Sequence, residues 1–303
     1  MVIVRHRKIF FGVTAAIAFM AILAVGVFGL QFGTDFTGGS LVEVRYDGIR
    51  PAGDVLTRNL EDAGFKGFSL RESGADGYIL RSATLSDVQR GNLSATFSHE
   101  GGTAHIAQLT EVGPTIGVEL RNKALIALLV VLLCILLFIA FAFRKVSKPI
   151  SSWVYGLIAL LTLGFDVLVP VGAFAALGYL WGAQVDALFV TAILTILGYS
   201  VHDTIVVFDR TRENLRLNED RNRKEDFAET AGRSLNQTFV RSMNTSATTL
   251  IALLALFFLG PASTQDFALT LLIGIIAGTY SSIFFATPLL VEVEKWRGGR
   301  KKK

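Results

Sequence analysis

Three ionisable side chains lie inside stretches that are otherwise apolar: Asp166, Asp203 and Arg241. Placing such a group in a bilayer core costs about 2.5–3.5 kcal/mol on insertion scales, so each needs a reason to be there. Asp203 stands seven residues before Arg210, where a charged segment begins, and Arg241 stands eight residues after Arg233, where it ends. At a helical rise of 1.5 Å per residue, both fall about 10–12 Å inside the same membrane face. On consecutive antiparallel helices the two can meet, and pairing lowers the cost of burying either one. Tyr199, Ser200, His202 and Thr204 surround Asp203, while Arg241, Thr245, Thr248 and Thr249 recur at the spacing of one helical face. This pattern suits proton binding. Burial and a nearby guanidinium act in opposite directions on a carboxylate's hold on a proton, so moving one relative to the other switches the charge. The expected relay is Asp203 with Arg241, and His202, Asp166 and Thr245 are further candidates. Imidazole titrates near neutral pH, and Asp166 precedes Pro170, where a helix can bend and free a carbonyl.

The elements that must hold these groups follow from composition. Hydrophobic residues are 51% of the 303 and charged residues 18%, against about a quarter charged in soluble domains. That balance points to an integral membrane protein. Runs long enough to span a bilayer occur at 9–30, 124–143, 150–177, 187–208, 238–259 and 267–291. The first has a basic flank like a signal peptide but is too long for one and lacks a cleavage site, so it reads as a retained anchor. The single cysteine, Cys134, excludes a disulfide framework and a Cys-rich metal site, and no cofactor motif is present.

Lys and Arg gather around residues 5–8, 144–148, 210–233 and 295–303, whereas the short loops 181–186 and 260–266 have none. Both termini are therefore expected in the cytoplasm. Residues 31–123 are expected outside the membrane as a small βαββαβ, ferredoxin-like α+β domain. Its strands fall near 40–46, 68–71, 78–81 and 103–112, and its helices near 52–63 and 86–98. Residues 124–291 then complete a six-helix bundle and 292–303 form a basic tail. Phe227, Ala231 and Leu235 lie on one face, so residues 210–235 are expected to lie along the membrane surface rather than to bind nucleic acid. Gly274, Gly278 and Ser282 form a small-residue stripe that lets helices pack closely. Gly38 and Gly39, with Gly113 and Pro114, are expected to turn the chain sharply, or to bring it close to a neighbour, where the outer domain joins the bundle, as candidate hinges.

Four stretches resemble the SecF branch of the SecD/SecF family, within the RND superfamily. They are Asp35-Phe36-Thr37-Gly38-Gly39-Ser40, Glu111 to Gly117, Gly198 to Arg210 with its Ser200-Val201-His202-Asp203 core, and Arg241 to Ser246. The resemblance implies a proton-driven subunit of the Sec protein translocase in the bacterial cytoplasmic (inner) membrane. It implies work with SecD, the SecYEG channel and a translocating preprotein, with YajC as a candidate associate, and links Asp203 and Arg241 to proton transport. Two departures bear on the proton route: His202 stands where the family usually has Asn, and Phe165 where His often precedes the third-span Asp. Three other readings compete. Another RND-type exporter subunit would lack a SecD-like neighbour, and a passive scaffold would tolerate neutralising Asp203 and Arg241 together. An intramembrane protease would need paired groups at one depth, yet Asp166 and Asp203 are expected toward opposite ends of their helices, so an enzyme is not expected.

Overall fold

A bilayer offers the backbone no hydrogen-bond partner but itself, so long apolar runs become helices. The computed structural model describes residues 2–98, 102–144 and 150–300. In chain order, α1 (Val2–Arg5), α2 (Arg7–Phe28) and α3 (Thr34–Thr37) lead to β1 (Gly39–Gly48), α4 (Gly53–Asp62), β2 (Ser69–Ser73), β3 (Gly77–Ser82), α5 (Asp87–Phe97) and β4 (Gly102–Val112). There follow α6 (Pro114–Ala142), α7 (Ser152–Trp181), α8 (Ala187–Asp220), α9 (Phe227–Leu259), α10 (Gln265–Ser281), a π-helical turn (Ser282–Ala286) and α11 (Thr287–Arg300). Among the described residues, six helices are long and apolar enough to cross a membrane: α2, α6, α7, α8, α9 and the continuous Gln265–Arg297 segment.

The four strands form one antiparallel sheet in the order β2-β3-β1-β4, the βαββαβ arrangement expected from the sequence. Val42, Val44 and Tyr46 alternate onto the helix-covered face and pack with Leu56, Leu60, Leu80, Leu93 and Phe97. The buried phenols are satisfied: Tyr46 donates to Phe97 O and Tyr78 to Pro51 O. Ser86 and Gln89 close a capping box at the start of α5.

The sheet is seated on the bundle by the segment before β1. Val185 N donates to Gln31 O at 2.7 Å and Gly33 N donates to Val185 O at 2.8 Å. Asp35 Oδ2 accepts from Ala187 N at 2.9 Å and Asp186 Oδ1 from Phe189 N at 2.8 Å, so two carboxylates cap the first turn of α8. Gly38 and Gly39 hold φ of +78° and +131°, backbone that other residues adopt only under strain. A Cβ on Gly38 would stand 2.7 Å from Pro114 Cα, and one on Gly39 would collide with Ser82 O. Gly113 is the N-cap of α6 and Pro114 its first residue. The turn is thus clamped between sheet and bundle.

Residues 210–235 are not a separate amphipathic helix but the ends of two long ones. α8 continues unbroken to Asp220, and α9 starts at Phe227. Phe227, Ala231 and Leu235 are buried in the bundle core instead of facing lipid. Polar side chains join the two helices: Asn214 Nδ2 donates to Ser234 Oγ at 2.8 Å, and Asn218 Nδ2 donates to Glu225 Oε2 at 2.7 Å and to Thr230 Oγ1 at 3.0 Å. Buried amides require such partners, and an antiparallel hairpin supplies them. α11 likewise carries helix through most of the expected tail, to Arg300. Lys145, Lys148 and Lys301 to Lys303 lie outside the described residues.

Replacing Gly39 with alanine should destabilise the joint by about 1–3 kcal/mol, read as easier protease cleavage around residues 33–40. At the hairpin tip, burial pushes the Glu225 carboxyl up. Hydrogen bonds from Asn218, Arg233 and Thr230 outweigh it and leave the group below its ordinary value of 4.5. A lowered value stabilises the fold above the unfolded pKa, and that stability fades as pH falls through the folded one. The protection factors of the amides at residues 221–226, exchange corrected for its intrinsic pH dependence, should therefore be flat down to about pH 4.5 and fall below it.

Candidate intramembrane carboxylate site

α7, α8 and α10 form the interior of the bundle, and α2, α6 and α9 leave most of their surface outside it. Close approach of α10 to α8 depends on the small-residue stripe. Gly274 lies against the Ile196 side chain and Gly278 against Ser200, where any Cβ would collide. Ser282 Oγ meets Thr204 Oγ1 at 3.1 Å, and Thr279 Oγ1 donates to Ser246 Oγ on α9 at 2.7 Å. A π turn begins at Ser282; such turns lengthen the helix repeat locally and recur at functional sites.

Asp166 on α7 is fully buried. Ser200 Oγ donates to its Oδ2, Ser281 lies beside it, and its Oδ1 has no hydrogen-bond partner among the described residues. The Ser200 bond sets Asp166 level with Ser200, and Asp203 follows about one turn further along α8. The two carboxylates are thus at similar depth, not toward opposite ends as the span edges suggested. α8 stays buried beyond Phe208, at Thr211 and Asn214, so the onset of charge at Arg210 does not mark the end of the packed helix.

Asp203 is buried, 4% exposed. Ser242 of α9 stands beside it, and its hydroxyl makes no hydrogen bond of standard geometry. His202 and Arg241 act on Asp203 through space, but both side chains are exposed. Among the described residues, no ion pair within 4.0 Å joins Asp203 to Arg241. The expected contact is therefore open. α9 turns Ser242 and Ser246 inward, and one helical step of about 100° carries Arg241 to the outside. Asn244 and Thr248 are exposed on α9 as well, and Thr245 Oγ1 caps back onto Arg241 O at 2.9 Å. Only Thr249 of the expected threonine face reaches α8, accepting from Tyr199 at 3.3 Å.

Past Asp203, toward the hairpin, a cleft of about 330 Å³ opens between α8 and α9. Val206, Asp209, Arg210, Glu213, Gln237, Thr238 and Arg241 line it. Arg210 is fixed by Gln237 at 2.7 Å and by Glu213 at 2.5 Å, while Arg241 is the cation shared by the cleft wall and the field at Asp203.

A second charged cluster joins the outer sheet to the bundle. Arg71 of β2 grips Asp266 at the start of α10 with two bonds, 2.8 and 3.3 Å. Arg81 of β3 lies close by, in the field of Asp186, Asp266 and Asp35. Burial lowers its guanidinium's hold on the proton, and those carboxylates raise it. None of these five residues was singled out from the sequence for charge pairing. One signal was available: the short loops holding Asp186 and Asp266 contain no Lys or Arg, so any cation for them must come from elsewhere.

Six candidate spans and a small ferredoxin-like domain define a polytopic α-helical membrane protein. Residues 93–296 match the family of the protein export membrane protein SecD/SecF, C-terminal, and residues 23–48 match the SecD/SecF GG motif. The protein translocase subunit SecF of Thermobaculum terrenum is 41% identical over 96% of this chain and 93% of that one. The protein translocase subunit SecDF of Thermus thermophilus is 38% identical over 95% of this chain but only 38% of its own. A crystal structure of SecDF from Thermus, a translocon-associated membrane protein, superposes with a TM-score of 0.83 at 35% identity, over 96% of this chain and 38% of that one. SecDF in a super-membrane-facing form gives 0.66 at 36% identity, with the same coverage. The chain belongs to the SecD/SecF family of protein export membrane proteins.

Arg71 and Asp266 are about a third and a fifth exposed, so their pair should contribute about 1 kcal/mol to docking of the outer domain. Arg71→Asp should increase protease access at residues 31–40, and adding Asp266→Arg should restore protection.

Proposed function

We propose that this chain is a SecF subunit of the Sec translocase. In this reading it works beside SecD and the SecYEG channel in the bacterial cytoplasmic membrane and uses protons to complete preprotein export, with YajC as an associate. The chain ends, the hairpin 210–235 and the cleft face the cytoplasm; the sheet faces the far side. The distribution of Lys and Arg supports that sidedness. Nearly full-length similarity to SecF relatives supports the subunit assignment.

The observation that carries the mechanism is the buried Asp203, one helical turn from the polar cleft that Arg241 also lines. Water in that cleft brings protons from the cytoplasm to within a turn of the carboxylate. Arg241 acts on the charge of Asp203 without neutralising it by contact, so a small rotation of α9 changes whether the proton stays. Ser242 is placed to answer the charged form, since its hydroxyl is otherwise uncommitted. His202, exposed beside Asp203, offers a second stop for the proton.

The outward polar stripe of Arg241, Asn244 and Thr248 supports the SecD partnership. Polar side chains such as Asn244 and Thr248 facing lipid carry a desolvation cost. A partner helix bearing a carboxylate removes it, and the Thermus relative that carries SecD and SecF in one name spans far more chain than this one.

The test is transport of a preprotein into vesicles holding this chain, its SecD partner and the channel, with and without a proton gradient. Asp203→Asn should reduce transport to the level seen without a gradient, and Arg241→Gln should do the same. Gradient-driven transport that survives both changes together would show a passive scaffold.

A further inference from the structure

We infer that Asp166 is a second proton-binding site, a neutral carboxylic acid that locks α7, α8 and α10 together until it ionises. The inference rests on the proton-driven reading above and adds a site to it. Four observations meet at this residue. Its side chain is wholly buried. Among the described residues, no Lys, Arg or His forms an ion pair with it or acts on it through space; its polar surroundings are the hydroxyls of Ser200 and Ser281. One oxygen is committed to Ser200 and the other has no hydrogen-bond partner among the described residues. The helix that supplies Ser281 changes from α to π winding at the next residue.

An ionised carboxylate in such a place would lack any countercharge, and uncompensated buried charge is among the most expensive arrangements a protein can hold. A neutral acid fits. Ser200 donates to Oδ2, and Oδ1 carries the hydrogen. Ser281 is placed to receive it, because its own hydrogen is already given to Gly278 O at 3.1 Å. The acid then ties α8 and α10 to α7.

Loss of the proton reverses the arithmetic of donors and acceptors. The O–H bond breaks, the electron pair stays on Oδ1, and the proton leaves to water or to Asp203. Asp166 now needs two donors and Ser200 supplies one. Ser281 can supply the other only by releasing Gly278 O. Gly278 is the residue on which α10 rests against Ser200, and the π turn just beyond it can take up a change of register. Proton occupancy of Asp166 is thereby coupled to how α10 sits on α8. Asp203, a turn away on the same α8, is the natural exchange partner, whereas the cleft does not include Asp166.

The test uses the full chain with its SecD partner in lipid vesicles at mildly alkaline pH. Infrared spectra should show a protonated-carboxyl C=O band that shifts in D2O, persists in Asp203→Asn and disappears when Asp166→Asn is added. Asp166→Asn keeps the Ser200 bond and the size of the side chain, so it should fold and lose gradient-driven preprotein transport. Absence of the band in Asp203→Asn overturns the proposal, and this arm decides even where Asp166→Asn fails to accumulate. Full gradient-driven transport by a folded Asp166→Asn overturns it too. If Asp203→Asn alone abolishes that transport, the relay reading stands and the Asp166 site falls; if Asp166→Asn alone does, the reverse holds.

Discussion

A carboxylate placed in hydrocarbon must be protonated, paired or reached by water, because nothing else offsets its desolvation. The bundle is arranged around that constraint. Asp166 is buried among α7, α8 and α10, beside the hydroxyls of Ser200 and Ser281. Asp203 is set one turn from a polar cleft whose wall includes Arg241 of α9. The close approach of α10 through Gly274 and Gly278 brings these hydroxyls within reach. A larger residue at either glycine would push α10 away and leave buried polar atoms without partners.

The same requirement operates at the membrane's other face. Asp35, Asp186 and Asp266 sit at the starts of α8 and α10, where helix dipoles favour negative charge. Arg71 and Arg81 come from the sheet to answer them. The outer domain is therefore fastened to α8, which carries Asp203, and to α10, which packs on it. The Gly38–Gly39 turn packs closely against Pro114 and Ser82. An unpaired, flexible linker at that point would let the sheet move without disturbing α8.

Membership of the SecD/SecF family accounts for features that a self-sufficient bundle would not keep. α9 leaves Arg241, Asn244 and Thr248 on its outer surface, which is costly against lipid and reasonable against another protein. The chain spans 38% of the SecDF structure that it superposes on.

The spans, the βαββαβ order and the packing stripe of α10 were legible in the chain, because each follows from local periodicity or from a residue's own backbone preference. So were the identities of Asp166, Asp203 and Arg241, since an ionisable group in an apolar run is conspicuous wherever it points. Which groups meet was not legible. Helix phase decides that Ser242 rather than Arg241 faces Asp203, and a one-residue difference in phase is invisible to a depth count. Continued burial of α8 past Phe208 decides that Asp166 and Asp203 share a level, and it depends on what α9 packs against it. Arg71 and Asp266 are 195 residues apart, and only the docking of the sheet on the bundle brings them together.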